Sequence, residues 1–265
     1  MTPYKFNAPD ADIILRSSDG KELHVHRLIL SLSSPVFQDM FDLPQSTPPS
    51  QTPIVDIPDA SKVLKPFIQY LYPRPPPNIV NLSMWAGLYA IAEKYNVEAV
   101  MEPLRDILIS RFLRENPLRV YALASRWGLK KEAKIASRRT LAIDIFEDFP
   151  REDAELMGGA ACQQLYLLHF NRREAAQALI EDHPRPVSND PDCTCSSLKC
   201  KRLFPALSQR LSTIPWLTAE ELCQEIAKAG DYPKKCGKNC RHAIRHVHAY
   251  FASLLKAISD LPQTI

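Results

Sequence analysis

All the strand signal in this chain lies in its first sixty residues, so any sheet is small and sits at one end. Ile13-Ile14-Leu15 is an apolar run, and Leu23 and Val25 alternate with His24 and His26. Between them stands Asp19-Gly20, a hairpin signal, because a type I′ turn takes residues at positive φ. Ile54 to Asp59, "IVDIPD", reads as a third short strand. From Asn81 onward the apolar spacing becomes helical and stays so. Leu82, Trp85, Leu88, Ile91, Ala92 and Tyr95 share one face, and Val97 to Leu113 continue as a further helix. The pattern predicts an α+β protein whose C-terminal half is helical.

Local signals place the helix ends. Ser34 and Pro35 suit the N-cap and first position of a helix carrying Phe37 and Phe41 on one face. Asn116-Pro117 opens another helix in the same way, and Gly128 closes it after Trp127. "KKEAKIASRRTLAI" follows as its antiparallel mate, and "ACQQLYLLHFNRREAAQALI" as a longer helix. Residues 183–192, "HPRPVSNDPD", form the best linker. Beyond it, Thr218 and Glu221 make a capping box and Leu217 with Leu222 a hydrophobic staple. The last helix, from about Asn239 to Ser259, carries Cys240, Ile244, Val247, Phe251, Leu254 and Ile258 on one stripe.

Composition narrows the chemistry. The 265 residues include 23 prolines but only 7 glycines, and the glycines form neither phosphate-cradling loops nor a G-x-S-x-G nucleophile elbow. His242 and His246 have the spacing of a zinc-hydrolase helix but lack its glutamate, and they fall off the apolar stripe. A hydrolase would need a pocket joining histidine and carboxylate groups, and no nucleophile motif supplies one. No enzyme is expected. Lys+Arg 33 against Asp+Glu 30 is close to balance. No segment has a membrane-spanning apolar length, and the polar N-terminus shows no secretory signal. An intracellular location, cytoplasm or nucleus, is expected, where thiols stay reduced.

The stretch "DADIILRSSDGKELHVHRLILSLSSPVFQDMF" resembles the opening of a BTB/POZ domain. Asp12 precedes the first strand, His26-Arg27 follows the hairpin, and Ser34-Pro35 through Met40-Phe41 matches the Ser-Pro-x-Phe-x-x-Met-Phe helix. "FIQYLYP", Phe67 to Pro73, resembles the family's later Phe-x-x-x-Leu-x-Tyr helix. The resemblance covers residues 10–115. Residues 116–182 and the cysteine-containing 183–265 are similar to the helical extension of fungal, mushroom-type BTB proteins. The resemblance implies a protein–protein interaction module without catalysis: an adaptor or scaffold, as in ubiquitin-ligase substrate delivery or transcriptional control. Two departures qualify the partner modes. Few residues precede Asp10, so a monomer, or a dimer without a swapped N-terminal helix, is expected. Pro44 to Pro53 is polar and proline-rich, without the hydrophobic-x-Glu element of cullin binders, so direct cullin binding is expected to be weak or absent.

Several residues have a structural role as their expectation. Asp12 and His26 are expected to anchor turns, Trp85, Trp127 and Trp216 to anchor the core, and Cys162 and Cys223 to be small buried hydrophobes. The other five cysteines gather as C-x-C-x4-C and C-x3-C, two groups each able to give one zinc ion a pair of ligands. Cys195, Cys200, Cys236 and Cys240 are the expected ligands, with Cys193 as the substitute, in a closed structural site. The neighbouring Lys199, Lys201, Arg202, Lys234, Lys235, Lys238 and Arg241 raise the alternative of a zinc-dependent nucleic-acid-binding regulator. No aromatic or base-reading helix accompanies that patch, so nucleic acid is not the expected partner.

Overall fold

A computed structural model describes residues 6–43, 52–147, 149–182, 195–228 and 240–265, excepting the side chains of 195–202, 226–227 and 240–248. The chain divides into two compact units, Met1–Phe112 and Leu113–Ile265.

In the first unit, β1 (Ile13–Ser17) pairs antiparallel with β2 (Glu22–Val25). β3 (Ile54–Ile57) lies parallel to β1 on its other side, giving the order β2-β1-β3. Alternation decides the faces: Ile13 and Leu15 are buried opposite Val25 and Leu23, and the residues between them point outward. The turn differs from the expected two-residue type I′. Ser17 N–H donates to Lys21 O at 2.9 Å, enclosing a three-residue loop in which Gly20 takes φ +73°. Asp19, freed from positive φ, accepts the Ser61 N–H at 2.8 Å and hydroxyl at 2.6 Å. Those two bonds hold the Asp19 carboxyl well below the usual carboxylate range, and they fix the loop against α3 (Ser61–Leu71).

Between β2 and β3 come α1 (Arg27–Ser33) and α2 (Pro35–Asp42). Ser34 caps α2 as expected, accepting the Phe37 N–H at 3.1 Å, and its own hydroxyl donates to Tyr95 O at 2.5 Å. Phe37 stacks on Tyr95 at 4.5 Å, so the α2 face buries against the end of α4 (Leu82–Lys94). Asn81 caps α4 by accepting the Met84 N–H. α5 (Glu98–Ile107) runs on into a π-helical segment, Leu108–Phe112. Trp85 is fully buried and donates its indole N–H to Leu104 O at 2.7 Å, just before the helix widens.

The second unit is helical. α6 (Pro117–Arg126) and α7 (Lys130–Thr140) pack together across a turn where Gly128 sits at φ +63°. Pro117 takes the first position of α6, but Asn116 makes no side-chain cap. α8 (Arg151–Asp182) is broken at Gly158, where φ is 78° and ψ 163°. α9 (Cys195–Thr213), α10 (Ala219–Lys228) and α11 (Cys240–Asp260) follow. The capping box before α10 forms as expected: Thr218 Oγ1 accepts the Glu221 N–H and Glu221 accepts the Thr218 N–H. One apolar cluster gathers Ala176 and Ile180 of α8 with Leu207 of α9, Leu222 of α10 and Phe251 of α11. It therefore draws on both sides of position 183.

Candidate interaction sites

In the first unit, α1 is held at its base by polar bonds. Asp12 Oδ1 accepts the Arg27 N–H at 2.7 Å, and Tyr72 Oη accepts the His26 N–H at 3.0 Å. Tyr72 Oη also lies 3.0 Å from His26 Nδ1, and His26 Nε2 lies 3.5 Å from Asp10. The Arg27 guanidinium donates to Phe41 O at 2.5 Å and covers the Phe41 ring. Asp12 and His26 are thus turn anchors, and the carboxylate facing His26 is that of Asp10. Leu30 turns into the core, which sends Leu28 and Leu32, one turn apart, outward at 68% and 79% exposure. Burying one such leucine stabilises a contact by about 2 kcal/mol. This helix face is suited to receiving a protein surface.

In the second unit the polar centre is Arg172. Its Nε donates to Pro215 O at 2.8 Å, Nη1 to Leu261 O and Pro262 O at 2.7 and 2.9 Å, and Nη2 to Ile258 O at 2.7 Å. These carbonyls follow α9 and close α11, where helix ends leave acceptors without intrahelical partners. Burial, with the charge of Arg138 behind it, pushes the guanidinium down to about 10, so it stays protonated at neutral pH. The bonds also orient the helices. Phe204, nine residues before the end of α9, meets Tyr250 and Phe251, ten and nine residues before the end of α11. α9 and α11 therefore run parallel.

His169, one turn before Arg172, is fully buried. Thr140 Oγ1 donates to Ser137 O at 2.6 Å, so it accepts from His169 Nε2 at 3.0 Å, which fixes the Nε2–H tautomer. Nδ1 has no partner. Burial pushes the imidazole down to about 4; Asp144 opposes the shift, and Arg173 and Arg172 add to it.

The expected metal ligands are only partly visible. Cys195, Cys200 and Cys240 lie in helices, but their side chains are outside the described residues, as are Cys236 and Cys193 altogether. Among the described residues, no group of three or more His, Cys, Asp or Glu forms a metal site. The side chains of His242 and His246 and the whole of residues 44–51 also lie outside what is described. Trp85 anchors the core as expected, whereas Trp127 and Trp216 are half-buried. Cys162 is half-buried and Cys223 exposed, contrary to the burial expected of both, because Cys223 falls on the outer side of α10 while Leu222 turns inward. Sequence reasoning missed Arg172 and His169. The available signal was periodicity, since Leu165, Leu168, Arg172, Ala176 and Ile180 occupy one helical stripe.

Comparison with known proteins agrees with this architecture. Residues 6–111 match the BTB/POZ domain family. Mouse TD and POZ domain-containing protein 4 is 30% identical over 189 residues, which is 71% of this chain and 44% of that protein. BTB/POZ domain-containing protein 17 of Xenopus laevis is 28% identical over 113 residues, 42% of this chain and 23% of that protein. The chain thus spans less than half the length of either relative, and neither relative is fungal. No helix among the described residues is long and apolar enough to cross a membrane. BTB/POZ domains are generally protein–protein interaction modules without enzymatic activity, and residues 6–111 of this chain belong to the BTB/POZ family.

Proposed function

We propose that the chain is an adaptor or scaffold whose first unit joins proteins, and that α1 carries a contact to a second copy of the chain. The observation behind this is the pair Leu28 and Leu32, exposed one turn apart on a helix whose base is fixed by Asp12, Tyr72 and Phe41. In a twofold pairing the same face meets itself, so two leucines from each copy form one apolar patch. Such a dimer needs no exchange of an N-terminal helix. Substrate delivery to a ubiquitin ligase and transcriptional control are both open to such an adaptor. Direct cullin binding is not part of this reading, because residues 44–51 offer no apolar anchor in sequence. Sedimentation equilibrium is expected to show a dimer at tens of micromolar. Leu28→Asp with Leu32→Asp should return it to monomer, with an unchanged circular dichroism spectrum because both side chains are exposed. A monomeric parent protein, or a dimer that survives the double substitution, overturns the proposal.

We also propose a structural zinc ion bound by Cys195, Cys200, Cys236 and Cys240, with Cys193 as substitute. The parallel course of α9 and α11 supports it. Cys195 and Cys240 are the first residues of these two helices. Counted back from the contact of Phe204 with Phe251, they lie within about 3 Å of the same level at 1.5 Å per residue. One end of the pair thus brings a cysteine position from each helix to a common height. Elemental analysis of protein purified under reduction and without chelator should give about one zinc per chain, lost in Cys240→Ser. Zinc-free protein from that preparation removes the reading.

A further inference from the structure

The outer face of α7 carries cations without partners. Lys130, Lys131, Lys134, Arg138 and Arg139 are exposed on it, and Arg126 is exposed just before its entry turn. Ala133, Ala136, Ser137 and Thr140, on the opposite side, are buried. Lys131, Lys134 and Arg138 follow the i, i+3, i+7 spacing of one helical line and span about 10 Å at 1.5 Å per residue. Among the described residues, no carboxylate forms an ion pair with any of the six cations. A helix face that meets only water is stabilised by opposite charges four residues apart. Lys130 with Lys134, and Lys134 with Arg138, instead place like charges at that spacing. Lys130 and Lys131 also stand in the first turn, against the single Glu132, where the positive end of the helix dipole disfavours cations. The pattern destabilises α7, and an anion laid along the face would offset it.

The same face selects the kind of anion. Protein and membrane partners draw affinity from apolar side chains that become buried, and Ile135, at 38% exposure, is the one exposed large hydrophobic residue of α7. Two half-buried indoles flank the cations instead. Trp127, before the first lysine, carries the Arg126 guanidinium at 5.7 Å, and Trp216 carries that of Arg138 at 6.0 Å. Cations in a row with aromatic rings beside them suit a polyanion that also bears flat bases. We propose that the α7 face binds the phosphodiester backbone of a nucleic acid without reading its sequence, with Lys131, Lys134 and Arg138 pairing with phosphates. Two sources share this chemistry. A single strand also brings unpaired bases to the Trp127 and Trp216 rings, whereas a duplex offers the backbone alone. Neither the α1 pairing nor the zinc site enters this inference.

Fluorescence anisotropy on the full chain tests it with a labelled oligonucleotide of about twenty nucleotides, single-stranded or duplex, at about 50 mM salt. Binding in the micromolar range is expected, weakening as salt rises. Lys131→Gln with Lys134→Gln should reduce the slope of log affinity against log salt on a single strand by about 1.4, or about 0.7 for each lost phosphate contact. Lys131→Glu with Lys134→Glu should weaken binding roughly tenfold or more. Its urea midpoint should nevertheless equal or exceed the parent's, because a glutamate four residues before Arg138 turns a like-charge pair into an opposite one. Lys62→Glu with Lys65→Glu, the same charge change on α3, should leave affinity within about twofold. Tighter binding of the single strand assigns the indoles a share of the contact, and equal binding of the duplex assigns the backbone alone. No binding at low salt, binding or a salt slope that survives the α7 substitutions, or an equal loss in the α3 variant overturns the proposal. So does binding of polyglutamate or of phosphatidylserine vesicles as tight as that of the oligonucleotides.

Discussion

Arg172→Met is expected to destabilise the second unit by about 3–5 kcal/mol, the cost typical of removing one partner from a buried charged network. The methionine fills most of the volume, so the loss is polar and leaves little cavity. Four carbonyls, at Pro215, Ile258, Leu261 and Pro262, lose their donor at once. Each buried acceptor left without a partner costs about 1–3 kcal/mol before relaxation. Arg172→Lys keeps the charge but has three donors on one nitrogen, which cannot fan out to carbonyls from two helices. It should recover only part of the loss. Urea unfolding gives the free energy, and amide hydrogen exchange over residues 258–265 gives its location. A methionine variant within about 1 kcal/mol of the parent would show that the carbonyl fan contributes little to stability.

The second large effect is a pH dependence centred on His169. In the unfolded chain its imidazole takes up a proton near 6.5, whereas in the folded unit it does so only near 4. Between those values the unfolded state binds more protons. Stability is therefore full above about pH 6.5 and falls as the pH drops toward 4. Below that both states are protonated and the loss levels off. The difference in pKa corresponds to about 3 kcal/mol. His169→Asn removes the titrating group, so its stability should lose this acid slope even though the smaller side chain lowers the baseline. Asp144, Arg173 and Arg172 also act on the ring. A slope that persists in the asparagine variant would assign the acid sensitivity to other groups.

How much was legible in the sequence follows from how local each cause is. Ser34 and the Thr218–Glu221 box act on backbone N–H groups three residues away, so spacing alone identifies them. The alternation of Ile13, Leu15, Leu23 and Val25 likewise determines which face of the hairpin is buried. The Asp19-Gly20 turn was recognised as a turn but not by type, because the deciding partner, Ser61, is 42 residues away. Asn116 has the residue type of a cap without making its bond, since its backbone at φ −133° and ψ 54° departs from the extended conformation of a capping residue. Arg172 was the hardest. An arginine within an apolar stripe looks like surface, and only the arrival of two distant helix ends makes its position a favourable one. For α1, a resemblance to the family could name the helix but not reveal that both of its outer leucines stay uncovered. The cysteines remain a matter of spacing, supported by the parallel helices that begin with two of them.

Gly158 has a consequence of a different kind. Its φ of 78° and ψ of 163° belong to a backbone region that in practice only glycine occupies. A side chain there would meet no neighbouring atom within 4 Å, so conformation and not space restricts the position. Continuous, the 32 residues of α8 would make a rod of about 48 Å at 1.5 Å per residue. Broken, they make an elbow whose shorter arm sets the Asp153 carboxylate 2.5 Å from the Arg119 guanidinium. The two arms therefore need not share a helical phase, and each can turn its own apolar stripe toward its own neighbours.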